Sequence, residues 1–198
     1  MATLERIHFV PHYLVRRENA VAYSPSSSRP SIEGLPQIFW ADYAPWREAN
    51  LWAVERATTG DASLKTVASN MNGLLNYAKF LESRDLQWFE FPARKADRCL
   101  VLYRGALIKM RDAGQIGPST ASEYMRNCIM FYRWVRHREL LSPHVQLWRE
   151  KPYVVKYFDR VGFERTISGT TTDLSIPNRK RPGQTLEDGL LPVSETDR

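Results

Sequence analysis

The chain has 198 residues, 43% hydrophobic and 12% aromatic, which is ample for a packed core and excludes a wholly disordered polymer. Lysine and arginine exceed aspartate and glutamate by 28 − 22 = 6, a basic excess that favours a polyanionic partner. Two cysteines, Cys99 and Cys128, exclude a disulfide framework and read as small core residues. No apolar run is long enough for a signal peptide or a bilayer span, so the expectation is a cytoplasmic protein with no membrane partner.

Residues 1–41 read as an arm or small appendage. Short apolar runs at 7–10 and 38–40 look extended, and the Ser- and Pro-rich stretch 24–30 is a loop by composition. Helical signals then dominate. The first predicted helix covers 42–59, with Pro45 near its first turn and Gly60 as its stop. The second covers 63–83, with Leu64, Val67, Met71, Leu74, Ala78 and Leu81 on one stripe. The third covers 96–112 and stops at Gly114. The fourth covers 119–137, with Ser119 expected as its cap and Pro143 beyond its end. After Trp148 the segments 153–158 and 164–176 are rich in β-branched and aromatic residues, consistent with a small hairpin. Arg179, Lys180 and Arg181, between Pro177 and Pro182-Gly183, form a basic linker by composition.

The second and fourth helices have the same two-sided construction. In the fourth, Ala121, Met125, Cys128, Phe131 and Val135 oppose a polar side with Glu123, Arg126, Arg133 and His137. In the second, the apolar stripe opposes Lys65, Ser69, Asn72, Asn76 and Lys79. A shift of 54 residues places Thr66 on Thr120, Met71 on Met125, Tyr77 on Phe131, Lys79 on Arg133, Asp85 on Glu139 and Leu86 on Leu140. This weak internal repeat predicts two helical hairpins, each presenting the polar face of its second helix. Those faces are poor in acids and rich in groups that bond phosphates and base edges.

The stretches "SLKTVASNMNGLLNYAKFLESRDL" and "GPSTASEYMRNCIMFYRWVRHRELL" resemble the second and fourth helices of the core-binding domain of tyrosine recombinases (phage integrases). "LPQIFWADYAPWREANLWAVERA" resembles the lead-in segment of integrase-like proteins of bacterial mobile elements, and "LLPVSETDR" the approach to their catalytic domain. The resemblance covers roughly residues 35–198. It implies a mainly α fold, with a four-helix SAM-like core-binding bundle of two hairpins, an extended N-terminal arm and a small β-like C-terminal segment. The domains implied are an arm at 1–41, a DNA-binding helical domain at 42–148, a small hairpin at 149–176 and a linker at 177–198 towards a catalytic domain that this chain lacks. The function implied is the gripping of a recombination site by a bacterial, nucleoid-associated protein.

DNA-binding roles are expected for Lys65, Ser69, Asn72, Asn76, Lys79, Thr120, Arg126, Arg133, His137, Arg179, Lys180 and Arg181. The partner is double-stranded DNA, with self-association on it. No catalytic residue is assigned, and Tyr124, Tyr132 and Tyr157 are not read as nucleophiles. No cofactor, metal or small-molecule ligand is expected. His8 and His12 have a zinc-like spacing only on a helix, which Pro11 opposes. The competing reading is a non-catalytic protein-interaction module that docks a partner helix on exposed Phe80 and Trp134.

Overall fold

The computed structural model describes residues 1–17, 20–158 and 162–178. Four strands come first: β1 (Thr3–Phe9), β2 (His12–Arg17), β3 (Ala20–Pro25) and β4 (Ile32–Phe39). Four helices follow: α1 (Arg47–Thr58), α2 (Leu64–Ser83), α3 (Cys99–Asp112) and α4 (Pro118–His137). Strands β5 (Glu150–Phe158) and β6 (Glu164–Thr172) close the order. The strands form three antiparallel two-stranded sheets, β1–β4, β2–β3 and β5–β6.

The expected fold class is therefore corrected. The chain is not a mainly α bundle with a minor β segment, because its helical region is bracketed by six paired strands. Residues 1–41 hold two pairs of strands rather than an extended arm. The β2–β3 hairpin nests inside the β1–β4 pair, and the Ser26 N–H donates to the Pro11 carbonyl at 2.7 Å where the two sheets meet. The register of β1 against β4 slips between Ile7 and Phe9, beside Gly34 at φ 72°. That left-handed residue absorbs the extra length as a bulge.

Burial and two side chains bind this ribbon to the helices. Leu35, Pro36, Gln37 and Ile38 are all buried, so β4 is covered on both faces, which a free arm could not be. Asn50 of α1 acts as a strand partner. Its Oδ1 accepts from the Ile38 N–H at 2.7 Å, and its Nδ2 donates to the Ile38 carbonyl at 3.0 Å. Glu82, near the end of α2, accepts from the Ala2 N–H at 2.5 Å and the Ala41 N–H at 2.7 Å.

Helix α1 begins five residues later than the periodicity predicts. Phe39 bridges to Pro45 and the Trp46 N–H donates to the Ile38 carbonyl, so residues 40–46 turn back along β4. Trp46 is buried at the centre of the core, against Trp40, Tyr77, Trp88 and Phe131. Ser63 caps α2 by accepting from the Thr66 N–H. Helix α4 differs from expectation: Gly117 is its cap residue and Pro118 its first helical residue, so Ser119 lies inside the first turn. Helix α3 starts at Cys99, after a 3-10 turn over Lys95–Asp97.

The 54-residue register of the sequence has a backbone counterpart. Helices α2 and α4 are each 20 residues long, and Leu64 and Pro118 open them in register. They exit alike. Asp85 (φ 51°) and Glu139 (φ 55°) are left-handed, and the Leu86 and Leu140 N–H groups reach back to the carbonyls of Leu81 and Val135 at 3.0 and 3.1 Å. Gly60 and Gly114, also in register, are left-handed after α1 and α3. Such C-terminal turns satisfy carbonyls that the helix leaves without partners.

Strands β5 and β6 form a ribbon whose β5 residues are all exposed. Its root is fixed by Asp173. The Arg149 N–H donates to Asp173 Oδ1 at 3.0 Å, the Asp173 N–H returns to the Arg149 carbonyl at 3.0 Å, and Lys95 forms an ion pair with the carboxylate. No helix among the described residues is long and apolar enough to cross a membrane.

Candidate nucleic-acid interface

Helices α2 and α4 lie side by side along a seam of small and amide side chains. Asn70 donates to Asn127 Oδ1 at 3.0 Å, and the Tyr77 and Tyr132 hydroxyls meet at 2.9 Å. Met71, Leu74, Ala121, Met125, Cys128 and Phe131 are fully buried around them, as the helical stripes require. The opposite sides of both helices are left at the surface. They join where Ser69 donates to Glu123 at 2.8 Å, so two polar faces become one.

On this joint face Lys65, Asn72, Arg126 and His137 are exposed, and Thr120 is half-buried. Lys65, Lys79, Arg126 and His137 have no carboxylate within ion-pair distance among the described residues. Three other residues expected to reach DNA are engaged within the protein. Ser69 is bonded to Glu123. Asn76 is half-buried and accepts from the Tyr103 hydroxyl at 3.0 Å. Arg133 lies 3.7 Å from Glu150 and 6.0 Å from the Trp148 ring, which Arg136 approaches at 5.6 Å. Arg179, Lys180 and Arg181 fall outside the described residues.

The β5–β6 root brings a second wall to α4. Arg126 and Arg133 face Tyr153, Thr170, Thr172 and Ser175 across a cleft of about 270 Å³. No signal in the sequence gives any of these wall residues a role. A threonine-rich strand end carries no motif, and only the return of the chain sets it beside α4. The Asn70–Asn127 pair is equally invisible in the sequence, because an asparagine on the border of an apolar stripe looks the same whether it is solvated or buried.

Tyr132 does not reach this face. Tyr132 is fully buried and donates to the Trp88 carbonyl at 2.5 Å. Burial, with the Cys99 charge next, pushes its ionisation well above the ordinary range. Phe80 and Trp134 are half-buried. Phe80 packs on Tyr103, and Trp134 stacks on Phe131 while its indole N–H donates to Glu55 at 3.1 Å. His8 and His12 lie on separate strands, and His8 pairs with Glu33. Among the described residues no group of three or more His, Cys, Asp or Glu side chains could hold a metal ion.

No protein-family model, no curated protein and no solved structure matches the chain.

Proposed function

We propose that this chain binds double-stranded DNA through the joint face of α2 and α4, as part of a site-specific recombinase of the tyrosine type. The observation that carries the reading is that Lys65, Lys79 and Arg126 have no carboxylate partner among the described residues and lie, with His137, on two helix faces that the Ser69–Glu123 bond joins. A solvated helix surface ordinarily alternates acids with bases at four-residue spacing. Here Glu123 keeps its charge while it accepts from Ser69, but Lys65, Lys79 and Arg126 outnumber it, so the two faces keep a positive excess that suits phosphates. The recombinase assignment rests on the resemblance of the two helix sequences, and the strand-exchange chemistry is assigned to no residue of this chain.

A second reading, a protein-binding module, is favoured by the β5–β6 ribbon, where Val154, Phe158, Phe163 and Ile167 are exposed. The two separate in a salt series. Fluorescence anisotropy with a labelled duplex should give an affinity that falls linearly on a log–log plot, with a slope of about −0.9 per phosphate neutralised. No binding to duplex at low salt, or binding indifferent to salt, overturns the DNA reading.

A further inference from the structure

The cleft between α4 and the end of β6 has a composition that the helix faces alone do not explain. Arg126 and Arg133 are seven residues apart, so they lie two turns apart on one side of α4, about 10.5 Å along the axis. Both reach the same cleft, and hydroxyls of the ribbon root form its other wall. A guanidinium presents a planar fork of donors that matches phosphate oxygens two at a time.

The deciding atom is Thr172 Oγ1. The residue is 4% exposed, and this hydroxyl has no hydrogen-bond partner among the described residues. Its neighbour Thr171 is satisfied by Ser175 at 2.7 Å, so the wall is not simply short of partners. A buried hydroxyl without a partner is costly, and native proteins rarely leave one. In a cleft that two arginines also line, an acceptor-rich anion would complete the bonding of all three. The wall is also rigid, because Asp173, next to Thr172, is held by Arg149 and Lys95. Glu150, 3.7 Å from Arg133 and bonded by the Trp148 indole at 3.4 Å, is the carboxylate that competes with such an anion.

We infer that this cleft seats one phosphoryl group, held by Arg126, Arg133 and the Thr172 hydroxyl. The inference deepens the DNA reading and rests on it only for the source of the group, a backbone phosphodiester rather than free phosphate. The seat itself is tested without DNA.

Inorganic phosphate is titrated into the whole chain by calorimetry at fixed ionic strength, with chloride as the balancing anion. A saturable site of one phosphate per chain is expected. Thr172→Val and the pair Arg126→Gln, Arg133→Gln should each weaken it tenfold or more, since hydrogen bonds to charged groups are the strong ones. Thr172→Ser, which keeps the hydroxyl, should bind like the parent, and Glu150→Gln should bind tighter. Should Thr172→Val fail to fold, the arginine pair and Glu150→Gln carry the test. No saturable phosphate binding, or affinity unchanged in the folded variants, overturns the seat. Competition then separates the sources. Displacement of phosphate by duplex supports the backbone phosphodiester. Undiminished phosphate binding in saturating duplex supports a free anion and overturns the backbone assignment. Phosphate binding in a chain that ignores duplex supports the seat and overturns the DNA reading alone.

Discussion

Asn127 occupies the space that a side chain at Gly73 would need. A Cβ at Gly73 would collide with Asn127 Nδ2 and lie 3.0 Å from the Asn127 Cβ. Helices α2 and α4 therefore approach at a residue without a side chain, and the Asn70–Asn127 bond sits beside that point. Gly73→Ala should destabilise the fold by roughly 1–3 kcal/mol through overpacking, although alanine is the better helix former. Gly105→Ala is the control. Nothing lies within 4 Å of its Cβ position inside α3, so it should stabilise by up to about 1 kcal/mol. Urea unfolding of both variants checks the pair, and a stabilising Gly73→Ala would mean that the helices do not meet there.

The arginines of the joint face should matter to binding and little to folding. Arg126→Ala with Arg133→Ala should weaken duplex affinity and reduce the salt slope by about one unit for each phosphate no longer neutralised. The thermal midpoint should move little, since a half-exposed pair such as Arg133–Glu150 contributes at most about 1 kcal/mol. A folded double variant with parental affinity and slope would remove α4 from the interface.

Asp173 predicts a pH dependence with a definite sign. Burial acts to raise its pKa, but hydrogen bonds from Lys95 and the Arg149 N–H, with the Lys95 and Lys151 charges, bring the net position below the ordinary 3.8. A carboxylate lowered in the folded state adds stability above its unfolded pKa and loses it as pH falls through the folded one. Asp173→Asn should start less stable at pH 7 and show a shallower fall in thermal midpoint between about pH 5 and 3. Parallel curves for parent and variant would show that the carboxylate does not anchor the ribbon.

Both cysteines should be silent in the folded protein. Cys99 and Cys128 are buried, and burial pushes both thiols above their ordinary range. Nucleophilicity requires the exposed thiolate, so labelling at about pH 8 should be slow and should accelerate with urea in step with unfolding. Rapid labelling of either thiol without denaturant would place it outside the core.

The helices and their buried sides are written in the local sequence. Leu74, Met125, Cys128 and Val135 recur at the helical period, and that period is a property of neighbouring residues, readable before any partner is known. The 54-residue repeat is legible for the same reason, and it extends to the left-handed exits at Asp85 and Glu139. The strands and the cleft come from tertiary structure instead. Leu35 to Ile38 are buried because α1 and α2 cover them, and the β5–β6 root stands beside α4 because Leu174 and Ile176 enter the core and Arg133 pairs with Glu150. Arg126 and Thr172 are far apart in the chain, and no local pattern encodes their meeting. Strand pairing and cleft formation depend on where the chain returns, and non-local packing energy sets that return rather than the spacing of residues along one element.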